Sequence, residues 1–252
     1  MQLTLAHLYP EEMNIYGDRG NVAVLAYRCR QRGIDINIKN IGLNASLPLG
    51  SFDLLFGGGG QDRQQQLITR DLLSRQKVLS QAAANHIPML TICGTYQLFG
   101  RYFQPFSGLK MTGIGIFNAY TVASKQRKIG NAIINSQVGD LVGFENHSGN
   151  TYLSGQTRPL GQVIVGFGNN GSDKSEGAVI NNVFGTYLHG PFLPKNPHFA
   201  DYLLKLALEN KYGPMQLTKL NDSLEWQTHK AAVKRTKKLK SFLLKYFTQP
   251  GC

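Results

Sequence analysis

The stretch Pro88-Met-Leu-Thr-Ile-Cys-Gly-Thr-Tyr-Gln97 restricts what this chain can fold into more than any other. The apolar run Met89 to Ile92 stops at a cysteine and a glycine follows at once. Leu98, Phe99, Tyr102 and Phe103 then continue with helix-like spacing. That pattern is a strand, a sharp turn and a helix with a thiol at the turn, the layout of a nucleophile elbow. Such a turn raises Cys93 above the edge of a sheet. It also sets the thiol at a helix N-terminus, where the helix dipole favours thiolate over thiol. The same residues fit a buried, inert cysteine, because free cysteine is among the most buried residue types.

The surrounding periodicity predicts the sheet in which this elbow sits. Residues 3–9 alternate as a strand. Asp18 reads as the cap of a helix starting near Gly20, with Val22, Leu25 and Cys29 on one face. Residues 35–41 alternate again, residues 53–56 form a buried strand, and residues 64–84 read as one helix with Ile68, Leu72, Arg75 and Leu79 along its stripe. This βαβ rhythm predicts an α/β fold: a doubly wound, largely parallel sheet with helices on both faces. Ligands of such sheets bind beyond the strand C-termini. After about residue 110 the pattern becomes strand-rich, with runs at 114–122, 129–135, 141–144, 162–167 and 177–188, then a helix over 199–211. Residues 1–224 read as one domain and 225–252 as a basic, helical C-terminal tail.

Two further motifs belong to the elbow's edge. Phe52-Asp-Leu-Leu-Phe-Gly-Gly-Gly-Gly60 ends a buried strand in four glycines. Without Cβ atoms such a run brings backbone N–H groups close to a ligand, as a phosphate cradle or an oxyanion hole. Gln61-Asp-Arg63 is not the ending of a phosphate-binding loop. Val183-Phe-Gly-Thr-Tyr-Leu-His-Gly-Pro191 delivers His189 at the end of a β-rich run. Histidine is the usual base for a cysteine nucleophile, because it titrates near neutrality. His147, in Gly143-Phe-Glu-Asn-His-Ser-Gly149, is the rival base, with Glu145 nearby in sequence.

Composition narrows the class further. Three widely spaced cysteines (Cys29, Cys93 and Cys252) argue against a disulfide framework and a zinc site. No run of 18 apolar residues and no secretory leader pattern occurs, so the chain reads as cytosolic. The formal charge is +12, and seven of the 27 Lys and Arg lie between Lys230 and Lys245, where no acid occurs. A basic tail fits an anionic partner surface or a solvated helix face.

With these motifs in this order, the chain resembles the class I glutamine amidotransferases. Phe144-Glu-Asn-His-Ser-Gly149 and Gly185-Thr-Tyr-Leu-His-Gly190 resemble the cobyric acid synthase-like branch. Within it, the likeness is greatest to the glutaminase subunits of lipid II isoglutaminyl synthases (GatD-type) and covers roughly residues 1–210. The resemblance implies Cys93 as nucleophile and His189 as base, and backbone N–H groups of Gly58 or Gly59 and of Gly94 at the oxyanion. It implies Arg127 as the clamp for the glutamine carboxylate, and leaves Gln97 either lining the pocket or capping the elbow helix. It further implies glutamine as substrate and no cofactor or metal in this chain. ATP and Mg²⁺ are expected on a MurT-type Mur-ligase-like partner, which amidates the D-glutamate α-carboxyl of lipid II. The tail then fits that partner or an anionic membrane surface; no nucleic acid is expected. The usual acid two residues after the histidine is missing from His189-Gly-Pro191. The dyad alone, Glu145, or a carboxylate from the partner remain as its replacements. Three other readings stay open: an acceptor such as a cobyrinate-type carboxylate, a DJ-1/peptidase-like cysteine hydrolase, and a catalytically dead binding module.

Overall fold

A computed structural model describes residues 1–247, with side chains to residue 238. Cys252 and the side chains of Leu239, Phe242, Leu243 and Tyr246 lie outside the described residues. In chain order the elements are β1 (Gln2–Leu8), α1 (Arg19–Arg30), β2 (Asp35–Ile41), β3 (Leu54–Gly57), α2 (Asp62–Ser74), α3 (Gln76–Ala84), β4 (Met89–Ile92) and α4 (Gly94–Phe99). There follow β5 (Tyr102–Gln104), β6 (Met111–Thr112), β7 (Ala119–Ser136), β8 (Gly139–Leu153), β9 (Gly161–Val165), β10 (Ser175–Glu176), β11 (Ala178–Ile180), β12 (Val183–Thr186), α5 (Pro197–Tyr212) and α6 (Ser223–Phe247).

The main sheet has the order β11-β12-β4-β3-β1-β2. Its pairs are parallel except the β11–β12 hairpin. β3, β4 and β12 are buried at every position, which is why they read as continuous apolar runs rather than alternating ones. α1 packs on α5, and α2 packs on α3 and α4. The elbow strand β4 lies between β3 and β12, with Thr91 opposite both Gly57 and Gly185. The glycine run, Cys93 and the His189 segment therefore leave the sheet at the same edge.

A second sheet, β10-β9-β7-β5-β6 with β8 paired to β7, is mostly antiparallel. It goes beyond the single doubly wound sheet expected from the sequence. The runs expected at 129–135 and 141–144 are parts of one long β7–β8 hairpin. Of the run expected at 114–122, only residues from Ala119 onward are strand. Ile114, Gly115 and Phe117 instead donate backbone N–H groups to Leu98, Gly100 and Phe99 at the end of α4. The helix expected over 64–84 is broken at Arg75 (φ −89°, ψ −6°). The Arg75 side chain is drawn to Asp71, Ala45 O and Gly42 O, which holds the break in place.

α6 lies against the segment Leu193–Lys195 and against β7 to β9, and buries His229 and Thr236. Its start is secured by a buried charge cluster. Arg28 on α1 donates to both oxygens of Asp201 on α5 and both of Asp222 just before α6, at 2.7–2.8 Å. Arg32 adds a further bond to Asp201 at 2.7 Å. Among the described residues no helix is long and apolar enough to cross a membrane.

Replacing Arg28 by Ala leaves Asp222 without its main partner and Asp201 with Arg32 alone; for a part-buried cluster the loss is about 3 kcal/mol, the low end for buried pairs. Thermal unfolding should fall by roughly 10 °C for a chain of this size. A drop of less than about 3 °C would mean that the cluster is screened by solvent and does not secure α6.

Candidate active site

Cys93 follows β4 and precedes α4 with φ 48° and ψ −102°. A non-glycine residue in this region is strained, and the surrounding structure must enforce it. Here the Cys93 N–H donates to Thr186 O at 2.8 Å and its carbonyl accepts from Gln97 N at 2.9 Å, so both flanking peptides are fixed. The side chain is buried, at 8% exposure, and lines a cavity of about 450 Å³. A Cβ on Gly94 would press on the end of the Met13 side chain at 2.9 Å.

His189 lies three residues beyond β12. Its N–H and C=O exchange hydrogen bonds with Phe144 of β8 at 2.8 and 3.2 Å, which ties the second sheet to the first. Its ring faces the Cys93 sulfur on one side. On the other, Nδ1 lies 3.5 Å from Asp18 Oδ2, with both side chains fully buried. Burial disfavours a charged ring. Cys93 and the Asp18 carboxylate, both close to the ring, outweigh it electrostatically and raise the His189 pKa from 6.5 to about 10.

Asp18 does not cap α1 through its side chain, as its position before that helix suggested. Its Oδ2 turns inward and accepts the Gly59 N–H at 2.7 Å. Asp18, from the β1–α1 connection, is thus the carboxylate that stands beside the His189 ring. Glu145 is directed elsewhere. It accepts the Phe167 and Gly168 N–H groups and lies 3.9 Å from His147 Nε2. His147 stacks flat on Tyr187, with centroids 3.6 Å apart, and its Nδ1 contacts Gly149 O. Burial lowers its pKa, so the His147 ring stays neutral in the cavity wall.

The glycine run does two different jobs. A Cβ on Gly58 would stand 2.1 Å from Met13 O, and one on Gly59 2.7 Å from His189 Cε1, so both positions require glycine by close approach. The Gly59 N–H, expected at an oxyanion, is instead bonded to Asp18. Gly60 lines the cavity, whereas Gly58 and Gly59 lie behind it.

Gln97 lines the cavity and is held on both sides. Its Oε1 accepts from Gln65 at 2.8 Å and its Nε2 donates to Tyr187 OH at 3.1 Å. Gln65 also reaches Gly94 O. Arg127 lies where the β7–β8 register shifts between Ala123 and Lys128, and it points into the same cavity. Its guanidinium donates to Asn146 Oδ1 at 2.7 and 3.0 Å. Asn146 in turn donates to Tyr16 OH, whose ring stands edge-on to His189 at 5.1 Å. Cys93, Gln97 and Arg127 thus line one cavity, with His189 fully buried close to Cys93, whereas Gly94 is not among the lining residues. The structure adds Asp18, Gln65, Tyr16 and Asn146, which sequence reasoning did not single out. Their only sequence signal is that they follow β1 or flank motifs already noted.

Glu176 is a further buried acid. It accepts from Tyr187 N and Thr186 Oγ1, and burial raises its pKa to about 8. It shapes the turn that leads from β12 to His189.

The family model of the CobB/CobQ-like glutamine amidotransferase domain matches residues 4–197. Subunit GatD of lipid II isoglutaminyl synthase (glutamine-hydrolyzing) from Staphylococcus aureus strain N315 is 38% identical over 240 residues, covering 95% of this chain and 98% of that protein. The corresponding subunit from Streptococcus pneumoniae is 39% identical over 227 residues, 88% of this chain and 87% of that protein. A probable cobyric acid synthase from Methanothermobacter thermautotrophicus is 36% identical over 155 residues, only 30% of its own length. A crystal structure of glutamine amidotransferase superposes with TM-score 0.57 at 13% identity, over 80% of this chain and 98% of that one, which speaks to the fold alone. With a matching model over most of its length and such relatives end to end, the chain belongs to the CobB/CobQ-like glutamine amidotransferase family.

Proposed function

We propose that this chain is the glutamine-hydrolysing subunit of a lipid II isoglutaminyl synthase. It supplies ammonia to a Mur-ligase-like (MurT-type) partner, which amidates the D-glutamate α-carboxyl of lipid II using ATP and Mg²⁺ held on that partner. The observation that carries the reading is the end-to-end match to two such subunits, together with a cavity lined by Cys93, Gln97 and Arg127 and the buried His189–Asp18 contact beside it. The cobyric acid synthase relatives share only a minor part of their length with this chain, so a cobyrinate-type acceptor has weaker support.

In this mechanism the Cys93 thiolate attacks the side-chain amide carbon of glutamine. The oxyanion of the tetrahedral intermediate forms against the backbone N–H of Gly94 and, in place of the occupied Gly59, that of Gly60. His189 gives its proton to the departing nitrogen, the C–N bond breaks, and ammonia leaves a glutamyl thioester. Water adds to the thioester and returns a proton to His189; glutamate leaves and the thiolate is restored. Asp18 holds the ring and its charge, as the third member of such triads does. Arg127 binds the glutamine α-carboxylate: Asn146 holds it through a neutral amide, so its charge is not cancelled by a carboxylate. The reaction takes place in the cytoplasm. There the exposed Lys230, Lys234, Arg235 and Lys237 of α6 meet an acidic face of the partner or the anionic membrane surface carrying the substrate.

Ammonia release from glutamine by the chain co-purified with its partner tests the reading. Diazo-oxo-norleucine should add its mass only to the peptide containing Cys93; labelling that survives in Cys93→Ser would remove the nucleophile assignment. His189→Ala should lower turnover by roughly 100-fold or more, and a larger loss in His147→Ala would exchange the two roles. Arg127→Ala should mainly raise KM for glutamine by about 10- to 100-fold, the scale of a lost charge-assisted contact.

The Asp18 assignment predicts a pH effect of definite sign. Its carboxylate helps raise the His189 pKa to about 10, so Asp18→Asn should let the ring lose its proton at lower pH. The alkaline limb of kcat/KM should then move toward neutrality, and kcat should fall at least about tenfold. An unmoved alkaline limb would exclude Asp18 from the triad.

For the basic helix, anionic vesicles decide between its two surfaces. Near an anionic bilayer each Lys or Arg contributes about 1 kcal/mol. Salt-sensitive binding of the complex to phosphatidylglycerol vesicles, weakened in Lys230→Glu/Lys234→Glu, supports the membrane role. Unchanged vesicle binding with loss of the partner assigns the helix to docking.

A further inference from the structure

The His189 ring is placed without a close hydrogen bond of its own. Neither Nδ1 nor Nε2 has a hydrogen-bond partner in the structure, and the Asp18 contact is 3.5 Å. Its orientation therefore depends on how firmly the backbone at 189–190 is held. On the upstream side the bridge to Phe144 does this. On the downstream side Gly190 sits at φ +82°, a conformation open to glycine and easily relaxed. What fixes it is Lys195. Its Nζ reaches back across the Pro191–Pro194 turn and donates to Gly190 O at 2.7 Å. The side chain is half-buried, and its ammonium is not part of any ion pair given by the described side chains. Burial lowers its pKa, a cost set against the single strong bond to the residue after the catalytic histidine.

Lys195 is itself anchored from outside the amidotransferase motifs. Its carbonyl meets His229 Nδ1 of α6 at 2.8 Å. His229 is buried, and it packs edge-on against Trp226 and against His198, which stacks on Trp226 with centroids 5.0 Å apart. A continuous path of contacts thus runs from the root of α6 through Lys195 to the peptide that follows His189.

We propose that Lys195 is a positioning residue for His189 and that His229 completes the strut, so that the root of α6 is part of the glutaminase machinery. This inference rests on the reading of His189 as the base. It also means that whatever binds the basic face of α6 acts at one end of a connection whose other end is the base.

The test uses the full chain with its partner and measures steady-state glutamine hydrolysis and alkylation of Cys93 by iodoacetamide. Lys195→Met should lower kcat about tenfold or more, the scale on which small misplacements act. KM for glutamine should stay within about twofold, because Arg127 and the cavity wall are untouched. Lys195→Arg, which can still donate to Gly190 O, should recover most of the loss. His229→Ala should act in the same direction and more weakly, and His229→Asn, which keeps a donor near the Nδ1 position, should rescue it. The alkylation rate should fall in parallel with kcat, because a displaced imidazole no longer assists the Cys93 sulfur. If Lys195→Met does not fold, the His229 pair decides alone. His189→Ala with undiminished turnover would sink the reading of the base itself. His189→Ala inactive but Lys195→Met and His229→Ala within twofold of the parent would sink only the strut. Equal losses in Lys195→Met and Lys195→Arg, with matching falls in melting temperature, would reduce the contact to ordinary packing.

Discussion

The parallel ladder β3–β4–β12 is the constraint on which the rest of the molecule depends. It aligns Gly57, Thr91 and Gly185, and Thr186 O takes the Cys93 N–H at 2.8 Å just beyond the last regular pair. Three chain segments therefore turn out of the sheet together, and the only room for their side chains is the space above that edge. The strained φ of Cys93 follows from the same geometry. The strand must end and a helix begin within one residue, and the bonds on either side do not let the turn relax. If the ladder slipped by one register, the thiol, the glycines and the histidine would no longer face one another.

Buried charge is tolerated around this edge because each group has a defined neighbour. The Asp18 carboxylate is shared between the Gly59 N–H and the His189 ring. Glu145 is bound by two consecutive backbone N–H groups, and Glu176, raised toward neutrality by burial, by a hydroxyl and a backbone N–H. These acids play different parts. Asp18, after Cys93, helps raise the pKa of a ring that burial would otherwise lower. Glu145 and Glu176 shape the β8 and β12 segments that carry the cavity wall. The arginine in the same cavity is held by an amide rather than an acid.

The second sheet and α6 give the site its limits. β8 contributes Phe144 against His189 and Asn146 against Arg127, and β7 brings Arg127 itself through an irregularity in the hairpin. That stretch, Ser124-Lys-Gln-Arg-Lys128, is polar enough to read as a loop, yet the strand runs through it because β8 pairs on both sides of the bulge. The helix over 64–84 reads as continuous because Ile68, Leu72 and Leu79 keep one helical stripe. Arg75 lies on that stripe and interrupts the helix because its guanidinium is drawn to carbonyls of another segment.

The sequence by itself determined the elbow at Cys93, the glycine-ended strand before it, the strand-borne His189 and the α/β class. Each of these is written in local periodicity and in residue types whose backbone preferences act within a few positions. It could not identify Asp18, because an aspartate ahead of a helix satisfies helix capping and site chemistry equally well in one dimension. Only the tertiary structure decided between them, through the order β4-β3-β1, which hangs the β1–α1 connection over the glycine run and His189. It likewise decided that Glu145 faces His147 and that Gly59 turns its N–H away from the cavity. Strand order and side-chain pairing are settled by long-range packing and by the need to partner every buried polar group. Those terms join residues far apart in the chain and leave no local pattern to read.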